Sequence, residues 1–518
     1  PDPNGFGLIN LVIFLISIAG FVLILACINF INLITARAAN RAMEVGIRKV
    51  VGSSKMQLVT QYFLESLLST ILALFIAILL VDLLLPTFNA TLGTELVMSF
   101  SEFHFWSRIV IVVLCVGFVS GIYPALILSS FQPTKVLKGI FRTGSKGAGF
   151  RKTMIIIQYT ITIFLVVITF FMIKQLNYIS NADTGMSREN IISIPFKKGM
   201  EANYSNLKNE LKKIPNVKYV TGIIDRPFQL GSVTSGISWN GKDTTQSYRF
   251  THTSTDELFT DVMEIKLVEG RYFSSEYSSD TSCIVINETA AKIIDKSPIL
   301  GEVITIWGFK VKVIGVMKDF QHVQSRGKIE PLFIYYADRG FSYLLVKAQN
   351  SFDLRTMEKI KKVYSEIYPE YPFESTSLDD DYHNMYAMDN QLKSILSQFT
   401  ILAILISCIG LLSLAAYIAE QQRKSLVLHK IHGASIVKIL VIQLSSFTKW
   451  VLISGIIAIP LSYIALRGMY SNYAYHTELS WWVFVGAHGC ALVIAVITVL
   501  YQALKTARVN PVEILRYE

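Results

Sequence analysis

Charge is scarce in this chain. Only 17% of its 518 residues are Asp, Glu, Lys or Arg, against 52% hydrophobic residues, and the mean hydropathy is +0.44. A soluble domain rarely carries that balance, so a polytopic membrane protein is the expected class. Cysteine is scarce too. Of five, Cys27, Cys115, Cys408 and Cys490 fall in apolar runs and only Cys283 lies in a polar region. That excludes an internal disulfide framework and any Cys/His metal spacing. Catalytic signatures are missing as well: there is no His-Glu-x-x-His and no nucleophile elbow. Gly144-Ser145-Lys146-Gly147-Ala148-Gly149 has the glycine spacing of a phosphate loop, but Phe150-Arg151 stands where Lys-Ser/Thr is needed and no strand precedes it. The run reads as a flexible basic linker, and any ATP hydrolysis must come from another chain. Asp319, His322, Asp379, Asp380, Asp381 and His383 match no ligand spacing. No cofactor, no metal and no nucleic acid is expected.

What the chain has in abundance is long apolar runs. They cover residues 8–34, 58–85, 106–128, 154–173, 395–418, 436–466 and 481–500. At about 1.5 Å per residue each can cross a hydrocarbon core of about 30 Å. Glu65 and Asp82 lie near span ends and Lys449 lies deeper; ionisable groups at mid-membrane would mark a secondary transporter. Basic residues orient the spans. Arg37, Arg41, Arg48, Lys49 and Lys55 follow the first span; Lys135, Lys138, Arg142, Lys146, Arg151 and Lys152 follow the third without one acid. Arg423, Lys424 and Lys430 follow the fifth, and Lys505, Arg508 and Arg516 the seventh. Residues 86–105 hold Glu95 and Glu102 but no Lys or Arg. The basic loops and the C-terminus are therefore expected in the cytoplasm, with the large polar region 174–392 outside.

That polar region is large enough for one or two compact domains and reads as mixed α/β. Expected strands are 191–195, 219–223, 284–286, 311–316 and 343–346, β-branched or aromatic runs between turn residues. Expected helices are 204–213, 288–295 and 354–367.

The segment 36–52 interleaves Ala42, Val45, Ile47, Val50 and Val51 with charged residues. It reads as an amphipathic helix along the membrane face, capped by Gly52 in the left-handed conformation, with Ser53 capping the next helix. An internal repeat sets the architecture. Val50-Val51-Gly52-Ser53-Ser54 follows the first span and Ile431-His432-Gly433-Ala434-Ser435 the fifth. Tyr123-Pro124-Ala125-Leu126 then Pro133-Thr134-Lys135-Val136-Leu137-Lys138 is echoed by Tyr501-Gln502-Ala503-Leu504 then Pro511-Val512-Glu513-Ile514-Leu515-Arg516. Gly52 and Pro133 are separated by nearly the same interval as Gly433 and Pro511. The expected layout is a first three-span repeat at 8–138, a basic linker at 139–153, a fourth span at 154–173, an outer domain at 174–392 and a second repeat at 395–518. The surface helices are expected at 36–52 and 420–433. By symmetry, a further span and a first outer domain are expected to precede Pro1.

These residues carry a family resemblance. Arg41-Ala42-Met43-Glu44-Val45-Gly46-Ile47-Arg48-Lys49-Val50-Val51-Gly52 resembles the signature of FtsX-like permeases, the MacB type of ABC transporter. Glu269-Gly270-Arg271-Tyr272-Phe273, Val285-Ile286-Asn287-Glu288-Thr289-Ala290-Ala291 and Val313-Ile314-Gly315-Val316-Met317-Lys318-Asp319-Phe320 resemble that family's periplasmic domain. The ending Asn510-Pro511-Val512-Glu513-Ile514-Leu515-Arg516-Tyr517-Glu518 resembles its C-terminus. The resemblance implies a polytopic α-helical permease with an inserted α/β domain in a bacterial inner membrane, working with a separate cytoplasmic ATPase as a dimer of permease halves or a single duplicated chain. It implies that the surface helix docks on that ATPase through Arg41, Glu44, Arg48 and Lys49, with Gly46 allowing close approach and Gly52 ending the helix. The alternative is that these charges touch lipid headgroups. In the second copy Gln422, Ser425, Val427 and His429 replace Arg41, Glu44, Gly46 and Arg48, while Arg423, Lys424, Lys430 and Gly433 remain for a weaker dock. Two functions stay open: export or extraction of a lipoprotein, peptide or drug, with a periplasmic adaptor or lipoprotein as partner, or signalling to an outer partner such as a cell-wall hydrolase.

Overall fold

A computed structural model describes residues 8–93, 95–129, 145–180, 184–197, 199–243, 245–322, 329–422, 430–432, 434–470 and 477–507. The chain divides into two compact units: residues 1–175, 390–469 and 478–518, and residues 176–389 with 470–477.

Helices α1 (Leu8–Val50), α2 (Lys55–Leu92), α3 (Phe103–Ser129) and α4 (Ser145–Ser180) precede the sheet domain. Helices α10 (Ala387–Gln421), α11 (Ile436–Tyr470) and α12 (Trp481–Ala507) follow it, and α5 to α9 lie within it. Among the described residues six of the seven long helices carry stretches that can cross a membrane, and α3 carries the shorter apolar stretch Phe103–Val119. The seven expected spans thus fall on seven helices. Several boundaries differ. Helix α4 begins at Ser145, so residues 145–153, expected in a flexible basic linker, form its first turns. Residues 36–50, expected in a separate surface helix, continue α1 without a break, because Arg, Ala, Met and Glu are good helix formers and one internal glycine costs only about 1 kcal/mol. Helix α2 likewise runs past residue 85 and through Pro86 to Leu92.

In lipid, apolar faces gain nothing by meeting, so small residues and hydrogen bonds hold the bundle. α4 is its most enclosed helix, with 67% of its spanning window buried. Its Thr162 hydroxyl meets the Ser407 hydroxyl of α10 at 2.7 Å, and its Thr169 hydroxyl meets that of Thr400 at 2.6 Å. Ser454 of α11 donates to the Ile156 carbonyl at 3.1 Å. Around these polar links Ile155, Tyr159, Leu411, Phe447, Val451 and Ala495 form an apolar core. Glycines let helices approach closely elsewhere. A Cβ on Gly121 of α3 would lie 3.0 Å from that of Ser66 on α2, and one on Gly117 would lie 3.1 Å from Leu67.

The outer unit holds one twelve-stranded sheet among its described residues. Its strands are β1 (Ile191–Pro195), β2 (Val217–Ile223), β3 (Val233–Thr234), β4 (Ile237–Ser238), β5 (Phe250–Thr255) and β6 (Leu267–Gly270). They continue with β7 (Cys283–Asn287), β8 (Val303–Ile306), β9 (Phe309–Met317), β10 (Leu332–Tyr336), β11 (Tyr343–Ala348) and β12 (Thr376–Ser377). The order is β12-β1-β11-β2-β5-β10-β7-β9-β8-β4, with β3 beside β5 and β6 beside β9. Helices α5 (Tyr204–Lys212) and α8 (Leu354–Ile367) cover one part, burying Leu207, Leu211, Ile360 and Tyr364 against β1, β2 and β11. Helix α7 (Glu288–Ile294) buries Ala290 and Ile294 against β7 and β9. The short helices α6 (Phe259–Met263) and α9 (Leu378–Met385) add Phe259, Met263, Leu378 and Tyr382 to a third cluster. Each expected strand lies on or inside an observed one, and each expected helix matches an observed one to within one residue. Strands β3, β4, β5, β6, β8, β10 and β12 were not expected.

Candidate docking surface at the α1–α2 corner

The last two turns of α1 bring Glu44 and Arg48 into an i,i+4 ion pair of 2.7 Å. The Arg48 guanidinium also donates to Gln61 of α2 at 2.6 Å, tying one helix to the next. Val45, one turn before Arg48, is fully buried against Leu58 and Tyr62, which flank Gln61 on α2. The two helices are therefore fixed to each other by a polar and an apolar contact on one shared face.

The turn between them is closed by backbone chemistry. The N–H of Gly52 bonds to the Lys49 carbonyl at 3.1 Å and that of Ser53 to the Arg48 carbonyl at 2.9 Å, a Schellman motif. Gly52 has φ +105°, a conformation that favours glycine, so the expected C-cap is present. The expected N-cap is displaced by one residue. Because Ser53 closes the turn behind it, Ser54 caps α2, accepting from the Gln57 N–H at 3.2 Å while Gln57 accepts from the Ser54 N–H at 2.8 Å.

This corner presents Ile47, Val50, Val51 and Met56 to the outside, with Val51 82% exposed. Sequence reasoning concentrated on the charges and gave these apolar residues no contact role. Their signal was present: valines and an isoleucine beside a glycine cap, where a turn is ordinarily polar. Lys49 is half-buried among them. Arg41 and Gly46 lie on α1, and their surroundings fall outside those described.

The second copy repeats part of this corner. Ser435 caps α11, accepting from the Lys438 N–H at 3.3 Å as Ser54 does from Gln57. With Lys438 in the place of Gln57, the reciprocal half of the capping box has no acceptor. Ile439 is buried as Leu58 is, and Ile431, Ile436 and Val437 are exposed. Lys430 sits in the helical turn before the cap, while Arg423, Lys424 and Gly433 lie outside the described residues.

Family models decide where the chain belongs. Residues 154–362 match the MacB-like periplasmic core domain. Residues 16–133 and 398–511 match the FtsX-like permease C-terminal model, one stretch in each expected repeat. The chain belongs to the FtsX-like, MacB-type ABC transporter permeases. Relatives of this permease include the uncharacterized ABC transporter permease MJ1507 of Methanocaldococcus jannaschii, 25% identical over 364 residues, covering 66% of this chain and 88% of that protein. The uncharacterized permease YknZ of Bacillus subtilis is 22% identical over 270 residues, covering 50% of this chain and 68% of that protein. The crystal structure of the periplasmic region of MacB from Actinobacillus actinomycetemcomitans overlaps 39% of the permease and 94% of that chain at 18% identity, with a TM-score of 0.29. The permease is a polytopic membrane protein with an inserted extracytoplasmic α/β domain.

Proposed function

We propose that this permease transmits the motion of a separate cytoplasmic ATPase to its outer domain, and that the ATPase docks on the α1–α2 corner. The carrying observation is the corner's mixed surface. Ile47, Val50, Val51 and Met56 are exposed beside the Glu44–Arg48 pair on a turn braced by a Schellman motif and a capping box. A membrane interface would take the cations and the apolar side chains, but it gives the acid Glu44 no role. A protein partner would cover the apolar side chains and use the charges to fix its register. Arg41, Glu44, Gly46, Arg48, Lys49 and Gly52 form the proposed contact. Lys430, with Arg423, Lys424 and Gly433, forms its weaker counterpart in the second repeat.

The proposed layout keeps the two permease repeats at 8–138 and 395–518 around the linker, fourth span and outer domain, with the C-terminus in the cytoplasm of a bacterial cell. The motion would export or extract a lipoprotein, peptide or drug without a path through the spans. The test is affinity purification of the full chain from native membranes, wild type beside the charge swap Glu44→Arg/Arg48→Glu. The swap keeps an internal ion pair of reversed sense, so folding is retained while complementarity to a partner is lost. One ATPase subunit should accompany the wild type and fall at least tenfold in the variant. Wild-type recovery in the variant, or no ATPase in either sample, overturns the reading.

A further inference from the structure

Within the outer unit, the segment 184–190 and the start of α9 line an open cleft of about 970 Å³. Its acids and bases are unevenly matched. Glu264 is taken by Lys347 at 2.8 Å, and Asp379 lies 3.6 Å from Arg188 and 3.5 Å from His383. Among the described residues, Lys266 and Lys318 have no carboxylate within ion-pair distance, and of the acids only Glu189 is left to face them. The two lysines are neighbours: the Lys318 N–H bonds to the Lys266 carbonyl at 2.8 Å, just beyond the Leu267–Met317 pair of β6 and β9. Like charges opposite each other on adjacent strands destabilise a sheet. Arg188 completes the arrangement. Its guanidinium lies 4.1 Å from the centre of the Tyr382 ring, and its buried Nη1 has no hydrogen-bond partner. A buried guanidinium N–H left unbonded is costly.

We propose that this cleft binds a phosphate group, with Lys266, Lys318 and Arg188 as its ligands. A tetrahedral phosphate accepts from several directions at once and matches a guanidinium fork beside ammonium groups. One bound phosphate accounts for two features together: the adjacent lysines, and the lack, among the described residues, of a carboxylate within ion-pair distance of either. The two sources of such a group are a phospholipid headgroup and a soluble phosphate. Thr184 of the cleft follows the spanning stretch Gly149–Ile179 by only five residues of chain, which favours the headgroup.

The proposal is independent of ATPase docking and is tested without it. The full chain is purified in a neutral detergent as wild type, as Lys266→Gln/Lys318→Gln and as Lys266→Arg/Lys318→Arg. Native mass spectrometry counts phosphatidylglycerol retained per chain, and calorimetry measures inorganic phosphate. Both lysines are exposed, so all three proteins should unfold at the same temperature. Phosphatidylglycerol binding that falls about tenfold in the glutamine variant and returns in the arginine variant assigns the site to a lipid headgroup. The same pattern for inorganic phosphate alone assigns it to a soluble phosphate. Equal binding by all three proteins, or no binding of either probe, overturns the proposal.

Discussion

Asp256 shows how much one residue can carry in the outer sheet. Its carboxylate is 1% exposed and accepts from the hydroxyls of Tyr204 and Thr221, from Lys208 at 2.6 Å and from the Leu258 N–H at 3.0 Å. Burial works to lower the Lys208 pKa, but Asp256 and Glu257 outweigh it and hold it above 10.5. The stability from that shift is complete below 10.5 and is lost only as pH rises through the folded value. Asp256→Ala leaves a buried ammonium with Glu257 alone, at a cost of about 3–5 kcal/mol. Hydrogen exchange of β2 and β5 peptides in the full chain should accelerate sharply. Unchanged exchange would show the network to be dispensable. Asp280 gives the acid limb. Arg271 grips it through two bonds, of 2.7 and 2.6 Å, and these hold its carboxyl below 3.8. The unfolded chain then binds the proton more readily, so stability is present above 3.8 and falls as pH drops through the lower folded value. Asp280→Asn should lower stability at neutral pH and flatten that acid loss. An acid limb of wild-type steepness in the variant would rule the pair out as its cause.

At the scale of elements, helix contacts set by glycine make the membrane unit testable. A Cβ on Gly410 of α10 would fall 1.8 Å from the Asn29 side chain of α1, which donates to the neighbouring Ile406 carbonyl. Gly410→Ala should therefore destabilise the detergent-solubilised chain by about 1–3 kcal/mol, whereas Gly486→Ala, with nothing within 4 Å, should be neutral or slightly stabilising. Equal melting temperatures for the two variants would refute the close packing. No sequence pattern marked Gly410 for this role, because its partner Asn29 is remote in sequence. The spans themselves were legible, since apolar length is a local property. Strands such as β1 and β9 were legible for the same reason, being β-branched runs. Strand β5 was not: Phe250-Thr251-His252-Thr253-Ser254-Thr255 reads as a polar loop, yet five of its six residues are buried. They become a strand through pairing with β10, β2 and β3, which is tertiary information. The α1–α2 corner was half legible. Its charges and Gly52 cap stood out, while the merging of its helix into α1 and the exposure of Val51 needed the fold.

For the whole molecule, the decisive property is orientation, because ATPase docking requires the α1–α2 corner to face the cytoplasm. The basic loops argue for that side, and a thiol-labelling experiment on intact cells can test it. Single cysteines would be placed at Lys55, on the corner, and at Glu95, between α2 and α3, both exposed. Cys115, Cys408 and Cys490 would first be changed to serine, because none of them is buried; Cys27 and Cys283 can stay, being 8% and 7% exposed. A membrane-impermeant maleimide should label Glu95→Cys in intact cells and label Lys55→Cys only after the membrane is opened. Labelling of Lys55→Cys in intact cells would put the corner outside, where no ATP-driven partner can reach it. The Glu44–Arg48 pair, the capped turn and the exposed Val51 would then have to serve an outer partner, and ATPase docking at this corner would fall.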